Sequence, residues 1–274
     1  MCKCSLWPQE TNPKRFFTAP VKSIKPWVKV GISPRGIWQP GYPTGINGFN
    51  AYKGIYADSR LWLSEGWMDY FSPQLYWSIG QTKHSFSALL QWWAEQNGMS
   101  RHLWPGLATY KLNDVWSPTE IINQIRITRE RTASPGHLHF RATHVLDEKR
   151  KFNFSRIRSA VYREQALIPP SPWMRPTPSE PMETRLIKSE IKGKTLELSW
   201  NTQSGALPRW WLYQAHFGQV WQSRVIPGRQ NEAQLDLGNP NKLPKYISWR
   251  PIDAYGETGK ALVLRLINPK TGEE

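Results

Sequence analysis

The sequence predicts an α/β region followed by an all-β region, and three observations carry that prediction. From Lys29 onward a strand, a loop and an amphipathic helix follow one another four times, the alternation of βα units. Between Ile168 and Pro181 six of the fourteen residues are proline, a composition that continues neither helix nor sheet and reads as a semi-rigid linker. Beyond it, short segments of alternating polarity between turn residues replace the helical spacing, as in a small antiparallel β-sandwich. Four consecutive βα units amount to half of a (β/α)₈ barrel.

The first unit is read as a strand at Val28 to Ser33, a Pro/Gly-rich loop from Pro34 to Asn50, and a helix from Ala51 to Glu65. Ile55, Tyr56, Trp62 and Leu63 form the helix's apolar face, and Gly66 stops it. The second unit pairs a strand at Met68 to Trp77 with a helix from Ser85 to Gln96. There Phe86, Leu89, Leu90, Trp93 and Ala94 obey the i, i+3, i+4 rule, with Asn97-Gly98 as a left-handed stop. The third has a strand at Arg101 to Tyr110 and a helix opened by Ser117, Pro118 and Glu120, the pattern of a capping box, with Ile121, Ile122 and Ile125 as its buried stripe. The fourth has a turn at Pro135-Gly136, a strand from His137 to Leu146, and a helix from Asn153 to Arg163. In the β region, KTLELSW, WWLYQAHF, QVWQSRVI, KYISWRPI and KALVLRLI read as strands, separated by turns such as Asn201 to Gly205, Gly238-Asn239-Pro240 and Gly256 to Gly259.

Composition narrows the function classes. The 274 residues hold 36 Lys plus Arg against 21 Asp plus Glu, a net charge of +15, with 16 Trp, 23 Pro and two Cys. Cys2 and Cys4 stand alone, which excludes a disulfide framework and gives no metal-ligand spacing. No apolar run approaches the length needed to cross a bilayer, and the N-terminus lacks the apolar core of a secretion signal. The densest charge, ten basic against three acidic residues from Arg126 to Arg163, raises polyanion binding as one alternative, although solvated helix faces explain it as well.

In a barrel, function concentrates at the C-terminal ends of the strands and the loops behind them. Those ends carry Ser33, Pro34, Arg35, Trp38 and Tyr42; then Gln74, Tyr76 and Trp77; then Trp104 and Tyr110, with Trp116 farther along; then Arg141, Thr143 and His144. Aromatic faces pack on the C–H faces of sugar rings while amides and hydroxyls bind sugar hydroxyls, so Trp38, Tyr42, Gln74, Tyr76, Trp77, Trp104 and Tyr110 are the candidate substrate-binding residues of a carbohydrate cleft. Glycoside hydrolysis needs two carboxyl groups, and none of these four strand ends bears an Asp or Glu. Asp69 opens its strand and belongs to the opposite, stabilising face. Asp114, in the loop after the third strand, is the one catalytic candidate. No zinc-binding H-E-x-x-H, nucleophile elbow or phosphate-binding glycine loop occurs, so no cofactor is implied; His137 and His139 alternate on one strand face as structural histidines.

The stretch KPWVKVGISPRGIWQPGYPTGINGFNAYKGIYADSRLWLSEGWMDYFSPQLYW, with LLQWWAEQN and RHLWPGLATY after it, closely resembles the bacterial family 10 glycosylhydrolases, glycosyl-hydrolase-like proteins that include divisome-associated hydrolases of peptidoglycan glycan strands. The resemblance runs from about Phe16 to Trp173. It implies the second half of a (β/α)₈ barrel over residues 16–167, after an unmatched leader 1–15, a linker over 168–183 and a fibronectin type III-like sandwich over 184–274. It further implies a glycosidase acting on cell-wall glycan in the cell envelope or outside the cell, with the first barrel half and its catalytic acid missing. Arg35, Gly80 and Arg141 depart from the pattern, and Gly80 stands where Asp is frequent. The chain is therefore expected to be an impaired hydrolase or a non-catalytic wall-binding remnant, with open barrel edges available for self-association.

Overall fold

The computed structural model describes residues 18–112, 114–133, 135–146, 151–175, 180–236 and 243–266. Cys2 and Cys4, the leader and the Gly238 to Pro240 turn lie outside the described residues. The chain divides into two units, Met1–Arg163 and Glu164–Glu274.

The first unit is built on short parallel strands: β1 (Gly31–Ile32), β2 (Tyr70–Phe71), β3 (His102–Leu103), β4 (Gly106–Leu107) and β5 (Leu138–His139). β1 pairs with β2, β2 with β3, and β4 with β5, all parallel. Each ladder is shorter than the spacing of apolar residues suggests, and prolines explain it. Pro34, Pro73 and Pro105 follow β1, β2 and β3 and have no N–H to donate. Their carbonyls instead accept the N–H groups of Gln74, Gly106 and Leu138 at 3.0, 2.9 and 3.0 Å, so a belt of prolines crosses the sheet and relays it to the residues beyond.

Helices cover one face of this sheet. Phe71, Leu103 and Leu107 meet Leu89, Leu90, Trp93, Ile121, Ile125 and Ile157 in a single apolar cluster. Tyr70, His102 and Trp104 occupy the other face, where Gly31 is required because a Cβ would come within 2.4 Å of the Tyr70 ring. A short helix, α1 (Ala19–Ile24), precedes β1. Its Lys22 pairs with the buried Asp69 carboxylate at 2.7 Å, which also accepts the Val30 N–H at 2.7 Å. Asp69 thus locks α1 and the entry to β1 onto β2, the stabilising role expected of it. Asp69→Asn is expected to lower the stability of this unit by about 1–3 kcal/mol, measured by urea titration; an unchanged midpoint would refute the role.

The connecting helices differ from expectation in four places. The single helix over 51–65 is two, α2 (Ala51–Gly54) and α3 (Ser59–Ser64). Two N-caps compete within that stretch, Asn50 accepting from Lys53 N and Asp58 from Leu61 N. Between them Tyr56 turns to φ +53°, so Ile55 and Tyr56 face solvent rather than the core. Gly66 does end α3, at φ +61°. α4 (Phe86–Glu95) follows its apolar stripe, with Ser85 as N-cap. However, neither Asn97 nor Gly98 is left-handed; the Asn97 side chain closes the turn by exchanging two hydrogen bonds with the Arg101 backbone.

α5 (Pro118–Arg131) starts after Ser117 as expected, but the capping box is not made. Glu120 is drawn away instead, accepting the Ile79 N–H and the Gln124 amide, both at 2.8 Å. The fourth strand ends at His139, not Leu146. Phe140 gives its N–H to Leu107 O and takes the Tyr110 N–H, which closes the ladder, and the chain turns into α6 (Ala142–Leu146) and then α7 (Lys151–Val161). Arg141, Thr143 and His144 therefore belong to the α6 region and not to a strand end.

Among the described residues, the second unit is an antiparallel sandwich of seven strands. One sheet has the order β10 (Glu232–Asp236), β7 (Thr195–Thr202), β6 (Thr184–Lys192); the other has β12 (Leu262–Arg265), β11 (Tyr246–Ile252), β8 (Trp210–Phe217), β9 (Val220–Pro227). Period-two alternation turns Leu196, Leu198 and Trp200 inward against Trp211, Ala215, Ile247 and Trp249, and the Trp200 and Trp249 rings lie 4.5 Å apart. β6 and β10 are additional to the five strand segments named from the sequence. The described part of the proline-rich segment is anchored within this unit rather than free: Ser171 N donates to Tyr255 O at 2.8 Å, Met174 is buried, and Arg175 pairs with Asp253.

Candidate functional site

The proline belt fixes which residues leave the sheet at its C-terminal ends. After β1 comes Arg35, bridged to Gln74; Gln74 in turn is bridged to Gly106, and its side-chain amide donates to Ser33 O at 3.1 Å. Gly106 leaves room for the Tyr76 ring, to which a Cβ there would approach within 3.2 Å. Tyr76 then meets Tyr110 edge-on at 6.1 Å and Phe140 at 5.4 Å, and Tyr110 also meets Phe140 and His144. Three strand ends thus converge on one aromatic group. Burial, with Tyr110 beside it, pushes the Tyr76 hydroxyl above its ordinary pKa, so it stays a neutral donor and acceptor.

Lys111 completes this group. Its ammonium donates to Tyr76 O at 2.7 Å and sits 4.7 Å from the Trp116 ring centre and 5.8 Å from that of Tyr110. Asp114 lies exposed in the same loop. Sequence reasoning missed Lys111 and Phe140 as members; nothing local marks which of many lysines a fold will half-bury against rings.

The other candidates are placed elsewhere. Trp38 is buried, stacked on Trp92 at 6.0 Å and edge-on to Tyr42 and Tyr52, with its indole N–H on Asp58 at 3.2 Å. It offers no open face; Tyr42, lying on it, is exposed. Trp77 stacks on His84 at 5.2 Å and packs against the apolar cluster. Trp104 stacks between His102 and Tyr70 on the sheet face away from the helices, with the Lys29 ammonium 5.7 Å from its ring centre. Of the seven candidate binding residues, Gln74, Tyr76 and Tyr110 form one site, Tyr42 is exposed on its own loop, and Trp38, Trp77 and Trp104 have packing partners of their own.

His137 and His139 are structural. Both rings share the hydroxyl of Tyr162, the residue after α7, His139 at 2.8 Å, and Thr109 Oγ1 lies 2.6 Å from His139 Nδ1. Burial lowers their pKa values to about 3 and about 4, His139 and Arg129 adding to the effect at His137. The basic stretch is partly engaged within its own unit: Arg129 donates to Val161 O at the end of α7, and Arg131 to Ser87 O. Among the described residues, no three His, Cys, Asp or Glu side chains are placed to hold a metal ion. None of the described helices is long and apolar enough to cross a membrane.

Residues 15–121, which contain all of the residues proposed from sequence as a sugar site and Asp114, match the family Glycosyl hydrolase-like 10. Glycosyl hydrolase YngK of Bacillus subtilis (strain 168) is 32% identical over 244 residues, 82% of this chain and 48% of that protein. Glycosyl hydrolase DigH of Escherichia coli (strain K12) is 38% identical over 99 residues, 34% of this chain and 23% of that protein. The chain thus spans about half the length of the first relative and under a quarter of the second. A solved FN3 domain of human collagen XX is 20% identical with a TM-score of 0.23, over 37% of this chain and all of that domain. Through residues 15–121, with two glycosyl hydrolases as relatives, the chain belongs to the glycosyl hydrolase-like 10 family.

Proposed function

We propose that the first unit is the second half of a (β/α)₈ barrel and binds bacterial cell-wall glycan at the C-terminal ends of its strands. The observation that carries this reading is the convergence of Tyr76, Tyr110, Phe140 and Trp116 around Lys111, at the position where barrels keep their sites, with all but Phe140 inside the family-matched region. Sequential parallel order with helices on one face supports the half barrel. Among the described residues β1 and β5 each have one partner strand, and pairing of these edges with a second copy belongs to the same reading. So does a location in the cell envelope or outside the cell.

Binding without efficient hydrolysis is the mode we assign to this chain. The strand ends Ser33 to Arg35, Gln74 to Trp77, Pro105 to Tyr110 and Phe140 bear no carboxylate, while cleavage requires a pair. The test is sedimentation with insoluble peptidoglycan. The chain is expected to co-sediment, and Tyr110→Ala with Trp116→Ala to lower the bound fraction by roughly tenfold, two stacking contacts being lost. Equal sedimentation of the double variant would overturn the assignment of the site; release of soluble sugar fragments would overturn the assignment as a binder.

A further inference from the structure

We propose that one end of the β-sandwich docks on an anionic phospholipid surface. That end belongs to the second unit, and the docking is independent of the glycan reading. Two hairpins form it. β6 passes into β7 through Gly193-Lys194 and β8 into β9 through Gly218-Gln219, and φ values of +59° and +60° at the glycines keep both turns to two residues. The two tips share one end of the sandwich. The start of β6 is tied to the far end of β11, where Lys260 N donates to Met182 O and Gly259 N to Pro251 O, both at 2.8 Å. The β6–β7 tip therefore reaches the opposite, Tyr246 end of β11, and there Tyr246 faces His216 and Phe217 faces Val220 across the β8–β9 tip.

These tips carry apolar side chains into solvent. Ile191 is 66% exposed, Val220 60% and Trp221 48%, although turns ordinarily present polar residues. Trp221 packs on His216 at 4.8 Å, and His216 on Tyr246 at 6.0 Å, so a row of rings leads from the tip into the sheet. Around it stand the exposed cations Lys194, Lys245 and Arg265, Lys245 lying 5.8 Å from the Tyr246 ring centre and Arg265 directly opposite Tyr246 in register. No Asp or Glu occurs in β8, β9, β11, β12 or the β8–β9 turn. Of the acids on the other sheet, Glu190 and Glu197 are held by Lys188 and Lys192, and Asp236 at the end of β10 is not free. Cations are thus in excess where apolar side chains protrude. Trp and Tyr favour the headgroup level of a bilayer, and Lys and Arg beside them are drawn to anionic lipid.

The experiment is co-sedimentation of the full chain with phosphatidylcholine vesicles, with and without phosphatidylglycerol. The chain should pellet with the phosphatidylglycerol vesicles and be released by high salt. Val220→Ser with Trp221→Ser should lower the partition coefficient roughly tenfold, through lost apolar burial. Lys245→Gln with Arg265→Gln should lower it roughly tenfold or more. Arg156→Gln with Arg158→Gln removes the same charge from exposed positions of α7 in the first unit and should leave it unchanged. An equal loss in the α7 variant would reduce the effect to net charge and overturn the site, as would vesicle binding unaltered by the tip variants. Absence of vesicle binding also overturns it; capture by polygalacturonate, or a dimer abolished by Trp221→Ser, would then name the occupant instead. Both tip variants should still co-sediment with insoluble peptidoglycan as the wild-type chain does, so the lipid and glycan readings fail separately.

Discussion

Trp93→Ala is expected to destabilise the first unit by about 3–5 kcal/mol, the range for removing a fully buried large aromatic. Trp93 is 0% exposed on α4, inside the cluster that joins the helices to Phe71, Leu103 and Leu107. Its indole N–H also donates to Gly36 O at 2.9 Å, so the same side chain ties α4 to the loop leaving β1. Gly36 has no slack to compensate, because a Cβ there would lie 2.3 Å from Gln74 O. The variant therefore leaves a cavity and an orphaned carbonyl beside the Arg35–Gln74 bridge. Against a typical domain stability of about 5–15 kcal/mol this is a large fraction. Trp93→Phe, which keeps most of the volume, should lose about 1–3 kcal/mol. Urea denaturation followed by circular dichroism gives both values, and a loss below about 1 kcal/mol in the alanine variant would contradict the packing described.

The second large effect is acid instability seated at His137 and His139. The run Thr109, His139, Tyr162, His137 is hydrogen-bonded with both imidazoles neutral, His137 Nδ1 alone lacking a partner among the described residues, and a proton on either ring would have to be held in a buried place beside Arg129. In the unfolded chain both rings titrate near 6.5; in the fold their pKa values are depressed to about 3 and about 4. Above pH 6.5 neither state binds these protons and stability is at its full value. Below it the unfolded chain takes them up and the fold does not, so stability falls as pH drops from 6.5 towards 4, by about 1.4 kcal/mol per pH unit for each ring. The unit should lose several kcal/mol across that window. A His137→Gln, His139→Gln double variant should start lower at pH 7.5 and show a flatter slope below 6.5. An unchanged slope would place the acid sensitivity elsewhere.

Much of the architecture is legible in the chain because it is encoded locally. α4 follows from Phe86, Leu89, Leu90 and Trp93 at helical spacing behind Ser85, and the sandwich from Leu196, Leu198 and Trp200 at strand spacing. The misreadings are contests that local rules leave undecided. Asn50 and Asp58 are both competent caps, and two short helices result where one apolar stripe suggested a single helix. Glu120 is a competent capping-box acid, but an unpaired Ile79 N–H from a distant loop claims it.

The candidate site was legible as a place and not as a set of residues. Strand ends rich in aromatics could be read from the order of elements, and residues 15–121 fix the family through their own motifs. Which aromatic serves packing and which stands at the sheet's edge could not be read, because Trp38, Trp77 and Trp116 are the same side chain until their neighbours are known. Trp38 is enclosed by Tyr52 on α2, Trp92 on α4 and the Asp58 cap; Trp116, half-buried against the core, also carries Lys111 on its ring. The sequence by itself determined the succession of βα units, the all-β region after them, the family and the lack of carboxylates at the strand ends, since each is a matter of residue type and spacing along the chain. Only the tertiary structure decided that Tyr76, Tyr110, Phe140 and Lys111 meet, because their contacts join separate strand ends whose approach is set by the proline belt and the shared core, not by anything near each residue.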